Sequence, residues 1–159
     1  MTNMIKNLAT CHLLGMITVV CLFLTNLQAQ PLQGKWKVEK IIYEKEVENK
    51  NETITYNSIA EVKDRIRFPK EINVKDKQNI ILHYPNSNED IIAEYIIENE
   101  HIIITSVGVI LQYQYNINNG LLSLTTKQNY KNRTPEGVIE DITEKWTLIL
   151  IKQTQAVKE

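Results

Sequence analysis

Val107-Gly108-Val109-Ile110-Leu111-Gln112-Tyr113-Gln114-Tyr115-Asn116-Ile117-Asn118-Asn119-Gly120 is the stretch that decides the fold. Its odd positions Val107, Val109, Leu111, Tyr113, Tyr115 and Ile117 alternate with Gly108, Ile110, Gln112, Gln114 and Asn116. Side chains on a strand point to opposite faces in turn, so this period of two predicts a half-buried strand over 107–117. Asn119-Gly120 tolerates the positive φ angles of a type I′ turn, so the chain is expected to double back into a second strand, 121–129.

Working outward, β-branched and aromatic runs recur at 35–47, 65–68, 79–84, 91–97, 101–106 and 138–152. A short strand at 72–74 adds to them. Turn-forming clusters separate neighbours, among them Pro85-Asn86-Ser87-Asn88 and Glu98-Asn99-Glu100. Eight or nine strands with short connections predict an all-β fold with antiparallel next-neighbour pairing, and the resemblance given below implies its closure into a single up-and-down barrel. In the last run Ile142, Trp146, Leu148 and Leu150 share one face, with Ile149 and Ile151 on the other. Residues 58–68 read two ways. Ser58-Ile59-Ala60-Glu61 has capping-box spacing, which predicts a short helical turn running into a strand near Arg65. The same stretch also alternates as Ala60, Val62, Asp64, Ile66, Phe68.

The N-terminus has a different character. Lys6 precedes the uncharged run 13–24 (LLGMITVVCLFL), and a polar stretch ending in small Ala29 follows. Basic, apolar, then polar with a small residue is the order of a secretory signal peptide, predicted as residues 1–29. Twelve apolar residues are too few to span ~30 Å of hydrocarbon as a helix, so no membrane anchor is expected after cleavage. Cys11 and Cys21 both lie in that leader. A mature chain from residue 30 would have neither disulfides, thiolate catalysis nor Cys-ligated metal. Loss of Lys6 takes the formal net charge from −1 to −2, and no basic stripe is visible, so nucleic acid is not an expected partner. The barrel domain is predicted over 30–152, with a polar tail at 153–159.

Chemistry-bearing motifs are few. His83 and His101 have no second ligand at metal spacing, and no Gly-x-Ser-x-Gly or phosphate-cradling glycine loop occurs. No catalytic residue, metal or cofactor is predicted. Glu140 and Glu144 share a face with Ile142 and Trp146 and are expected at an exposed rim. The candidate ligand contacts are Tyr95, Tyr113 and Tyr115, which share strand faces with aliphatic residues. Asp64 joins them if its segment is a strand, since a charge inside a barrel must be paired or solvated. Apolar walls with a few directing hydroxyls suit a small apolar or amphipathic ligand. The same rings would equally serve as core filling with their hydroxyls sent to a rim.

Leu32-Gln33-Gly34-Lys35-Trp36-Lys37-Val38 follows the leader, and Glu144-Lys145-Trp146-Thr147-Leu148-Ile149-Leu150 ends the meander. With these features the chain resembles the lipocalin-like proteins exported by Gram-negative bacteria. The resemblance implies a secreted or periplasmic ligand-binding barrel. It gives Gly34 and Trp36 the places of the family's Gly-x-Trp, with Trp36 closing one barrel end against a basic side chain, Lys145 or Lys152. Trp146 is the matching aromatic of the last strand. The family's Thr-Asp-Tyr motif is absent. Intracellular fatty-acid-binding proteins share the Gly-x-Trp start but carry a helix-turn-helix that residues 49–64 fit poorly. The competing expectation is a non-catalytic interaction module, an inhibitor or envelope-associated partner, with exposed apolar residues around 102–104 or 149–151.

Overall fold

The computed structural model describes residues 32–48, 50–62, 68–85 and 87–154. The expected leader, Asp64 and the end of the polar tail lie outside these residues.

Nine strands follow one another: β1 (Gly34–Val47), β2 (Lys50–Tyr56), β3 (Glu71–Val74), β4 (Asn79–His83), β5 (Ile91–Glu98), β6 (His101–Ser106), β7 (Val109–Asn118), β8 (Leu121–Arg133) and β9 (Ile139–Lys152). They pair antiparallel in the order β2-β1-β3-β4-β5-β6-β7-β8-β9, and β9 returns to pair with β1. The fold is therefore all-β, a closed eight-stranded barrel of β1 and β3–β9 with β2 as an extra strand. Closure removes the edges of the barrel proper, which would otherwise template aggregation.

Local sequence sets these elements. The β7–β8 hairpin turns at Asn119-Gly120, where both φ angles are positive (51° and 76°), as a type I′ turn requires. Asn99-Glu100 makes the same double positive-φ turn between β5 and β6. The strand expected from Val107 starts two residues later, because Val107 and Gly108 form the β6–β7 turn and Val107 is fully exposed. Ser58–Glu61 does form a turn: a 3-10 helix spans Ile59–Glu61. Its Glu61 carboxylate accepts the Asn57 backbone N–H (3.0 Å) and the Ser58 hydroxyl (3.4 Å). Phe68 lies outside any strand and is buried.

β1 has two features that shape the molecule. A register shift against β9 between Val38 and Lys40 is a bulge, which puts an extra residue on one strand and re-aims those beyond it. Trp36 and Val38 face the interior before it, and Ile41 and Tyr43 after it. The outer edge of β1 is also shared: Gly34–Lys37 pair with β3, whereas Ile41–Val47 pair with β2.

At the other side of the closure, β7 pairs with β8 only as far as Gln114↔Thr125. β8 and β9 stay paired from Leu121↔Ile151 to Arg133↔Ile139. Beyond the barrel, four strands therefore continue as an extension in the order β2-β1-β9-β8.

The inward faces of the barrel are apolar. Ile102, Ile104, Leu122, Leu124, Leu148 and Leu150 are each at most 1% exposed. Burial of such a side chain contributes roughly 1.5–3 kcal/mol relative to leaving it in water. Ile102 and Ile104 are thus core residues, whereas Ile103 is half-buried on the outer face opposite exposed Ile96; Ile92, Ile110 and Ile151 are further exposed apolar residues.

One end of the barrel is organised by Trp36, which is completely buried. Its indole N–H donates to the Leu32 carbonyl at 2.6 Å, and the Lys152 ammonium lies 5.3 Å from the ring centroid. Of the two lysines proposed for this role, Lys152 holds it. Lys145 instead pairs with Glu44 (2.7 Å). Gly34 adopts φ +127°, and a Cβ there would stand 2.9 Å from Lys152 Cε. Glycine is needed for the backbone conformation and to keep that lysine over the indole.

Candidate functional site

The opposite end carries the four-stranded extension, and on its inner face the register of β1, β9 and β8 assembles an aromatic cluster. Trp146 is the centre. It stands opposite Tyr43 on β1 and Thr126 on β8. The Tyr43 ring lies 4.3 Å from it (centroid to centroid, tilted 36°), Phe68 5.5 Å (50°) and Tyr56 6.4 Å, nearly parallel at 9°. Tyr43 and Tyr56 are half-buried, and Trp146 is 7% exposed. The bulge in β1 makes this possible, since without it Tyr43 would face outward.

One turn of the pleat further out, Glu144 occupies the same face. Both Tyr43 and Tyr130 donate their hydroxyls to its Oε1, at 2.8 and 2.9 Å. Burial, then the Glu144 hydrogen bond and charge, push the Tyr43 phenol far up, so it stays a neutral donor. Tyr130 is raised as well, chiefly by its hydrogen bond to Glu144. Glu144 is half-buried, not at an open rim as its sequence position suggested. Lys45 and Gln128 are its cross-strand neighbours. No Lys or Arg among the described residues forms an ion pair with it.

The tyrosines singled out from sequence fall into two places. Tyr95 is buried and donates its hydroxyl to the Asp76 carbonyl at 2.7 Å, near the Trp36 end. Burial raises its pKa, with the Asp76 charge and nearby Tyr115 adding to the effect. Tyr115 is half-buried opposite Leu124. The Asp76 carboxylate is held below its usual range by the backbone N–H of Gln78 and by Asn79 (2.8 Å to each N–H). Tyr95 is therefore committed to a turn, and its hydroxyl is not displayed to a cavity.

Tyr113 takes the other direction. It is buried, and its pKa is pushed far up by burial and by the neighbouring Tyr84. Tyr84 leaves β4 at the end bearing the extension and is itself raised by burial. The Tyr113 hydroxyl has no hydrogen-bond partner among the described residues. The three predicted tyrosines thus do not form one site. Asp64 lies outside the described residues.

His83 is flanked across strands by two carboxylates, Asp90 at Nδ1 and Glu71 at 3.7 Å from Nε2. His101 contacts the Asn99 carbonyl at 2.9 Å. Among the described residues no group of three or more His, Cys, Asp or Glu side chains is placed to hold a metal ion.

Sequence reasoning passed over Tyr43, Tyr56, Phe68 and Glu144 as site residues. The signal available was the pair of polar-aromatic faces Tyr43-x-Lys45 and Glu144-x-Trp146 on the first and last long strands. Only closure of the barrel puts them opposite each other. The class defined by these observations is a closed eight-stranded antiparallel barrel with an aromatic, carboxylate-bearing face at one end. Comparison with family models, curated proteins and solved structures found no match.

Proposed function

We propose that this chain is an exported, lipocalin-like barrel that binds a small amphipathic molecule at the end framed by the extension. The architecture is compatible with that class, and the placement of Gly34, Trp36 and Lys152 follows its pattern. The observation that carries the binding reading is Glu144, set beside Trp146 and accepting two phenols. An apolar, aromatic surface with one directing polar group is what a small-molecule site requires. The ligand's apolar part lies against the half-buried rings of Tyr43 and Tyr56, which pack on Trp146, and its polar part meets Glu144. The reading assigns no catalytic step, metal, cofactor or nucleic acid to the protein.

Export rests on the leader-like residues 1–29, and mass spectrometry of the protein from its host tests it by locating a mature N-terminus near Gln30. Native mass spectrometry of the same material tests for a retained small molecule. Absence of a retained molecule, together with no change in Trp146 fluorescence across a panel of amphipathic compounds, would remove the binding reading.

A second reading, a non-catalytic interaction module, is favoured by one surface. Ile92, Ile96 and Ile110 on the outer faces of β5 and β7 are 72%, 51% and 73% exposed, and Ile103 on β6 lies opposite Ile96. Contiguous exposed apolar residues mark protein contact sites. Replacing Ile92, Ile96 and Ile110 with threonine would abolish partner capture under this reading and leave small-molecule binding intact.

A further inference from the structure

We infer that the molecule bound at the Trp146 end carries a cationic ammonium group received by Glu144 Oε2, an inference that rests on the binding reading of the same site.

The two oxygens of Glu144 are used unequally. Oε1 accepts from both Tyr43 and Tyr130, which fills the two lone-pair directions of a carboxylate oxygen. Oε2 has no hydrogen-bond partner among the described residues. The phenols are neutral donors, so they orient the carboxylate and leave its negative charge in place. That charge is half-buried against Trp146 and Ile142, where a counter-ion is worth more than in bulk water.

None of the protein's own cations forms an ion pair with it among the described residues. Lys145, its neighbour in sequence, lies on the outer face of the sheet and pairs with Glu44 at 2.7 Å. Lys45 faces Glu144 in register across β1 and β9 but does not reach ion-pair distance. Two kinds of attraction for a cation therefore coincide: an unpaired carboxylate oxygen, and beside it the half-buried Tyr43 and exposed Tyr130 rings, since aromatic quadrupoles favour positive charge. An anionic head group meets repulsion from both. A neutral one gains a hydrogen bond only.

The test uses the mature protein and three ten-carbon probes, decyltrimethylammonium, decanol and decanoate, each below its micellar concentration. Binding is followed by tryptophan fluorescence and calorimetry at neutral pH. The expected result is that the ammonium binds about tenfold or more tighter than decanol, with decanoate weakest, and that added salt narrows the gap. Glu144→Gln keeps an acceptor for both tyrosines, and should bring the ammonium to within about twofold of decanol. Gln128→Lys, at an exposed position across from Glu144, supplies an internal ammonium and should erase the same preference without touching the core. Equal affinity for all three probes, or a preference that survives both substitutions, overturns the ammonium assignment while the binding reading stands. If none of the three binds, both fall.

Discussion

Tyr43 on β1 and Tyr130 on β8 reach the same carboxylate oxygen, Glu144 Oε1, from opposite sides of β9. One side chain thereby ties three strands of the extension, in a region where β7 no longer supports β8. A hydrogen bond to a charged group is worth roughly 1.5–3 kcal/mol when buried and less when wet. Tyr43→Phe should therefore lower the unfolding free energy by about 1–2 kcal/mol, and Tyr130→Phe, at a more exposed ring, by about 0.5 kcal/mol. Either donor alone still serves Oε1, so the double variant should lose more than the sum of the singles. Urea denaturation of the four proteins measures this, and strict additivity would show that the two contacts do not share the carboxylate.

At the other end, Gly34, Trp36 and Lys152 form one unit. Removing the wholly buried indole by Trp36→Ala should cost about 3–5 kcal/mol. Gly34→Ala forces an L side chain to φ +127° and pushes Lys152 off the ring, for an expected loss of about 1–3 kcal/mol. Lys152→Met removes the ammonium and keeps most of the stem, and loss of its contact with the indole alone should cost about 0.5–1 kcal/mol. Thermal denaturation checks the ranking. A Gly34→Ala protein as stable as Lys152→Met would mean that the backbone conformation carries no strain.

Much of this fold was legible because period-two patterns are strong where one face meets the core. His101–Ser106 matches its sequence-expected bounds, β7 and β8 turn at Asn119-Gly120, and the odd-numbered face of β7 is the inner one. What escaped was β2, whose polar Lys50-Asn51-Glu52-Thr53 opening gives no alternation; it is a strand only because β1 offers a paired edge. The bulge near Val38 escaped for the same reason, since it exists only in the register against β9. The candidate site needed both. Its residues come from β1, β2, β8, β9 and the segment before β3 that holds Phe68, and no local pattern in any one of them announces the others.

The buried phenols make a prediction about alkaline pH. Tyr43, Tyr84, Tyr95 and Tyr113 are all raised, each with burial as the leading cause. Above pH 10 the unfolded chain releases phenolic protons that the folded chain retains, so the folded state binds more protons and stability falls as pH rises. Below pH 10 the contribution is fully present and flat. Each such phenol adds a slope of up to about 1.4 kcal/mol per pH unit above that point. Tyr113→Phe removes a hydroxyl that has no partner among the described residues. It should therefore leave stability at pH 7 within about 1 kcal/mol of wild type and flatten the decline between pH 10 and 11.5. Urea midpoints across that range decide it; a decline unchanged in the variant would mean that Tyr113 titrates normally.

The extension leaves β8 with an open edge. From Thr126 to Arg133 it pairs with β9 on one side, and no described strand pairs with it on the other. Such an edge invites a second copy to add a strand. β8 bears Lys127, Lys131 and Arg133 along this length and no carboxylate, so two copies brought edge to edge would set like charges against each other. Replacing all three with threonine keeps strand propensity and removes the repulsion. The only ion pair lost among the described residues is Lys131–Asp141 (3.0 Å), which is exposed and worth at most about 1 kcal/mol. The triple variant should keep its fold by circular dichroism and associate as concentration rises. Sedimentation velocity reads this directly, and a variant that remains monomeric at the solubility limit would assign protection of the edge to something other than these three charges.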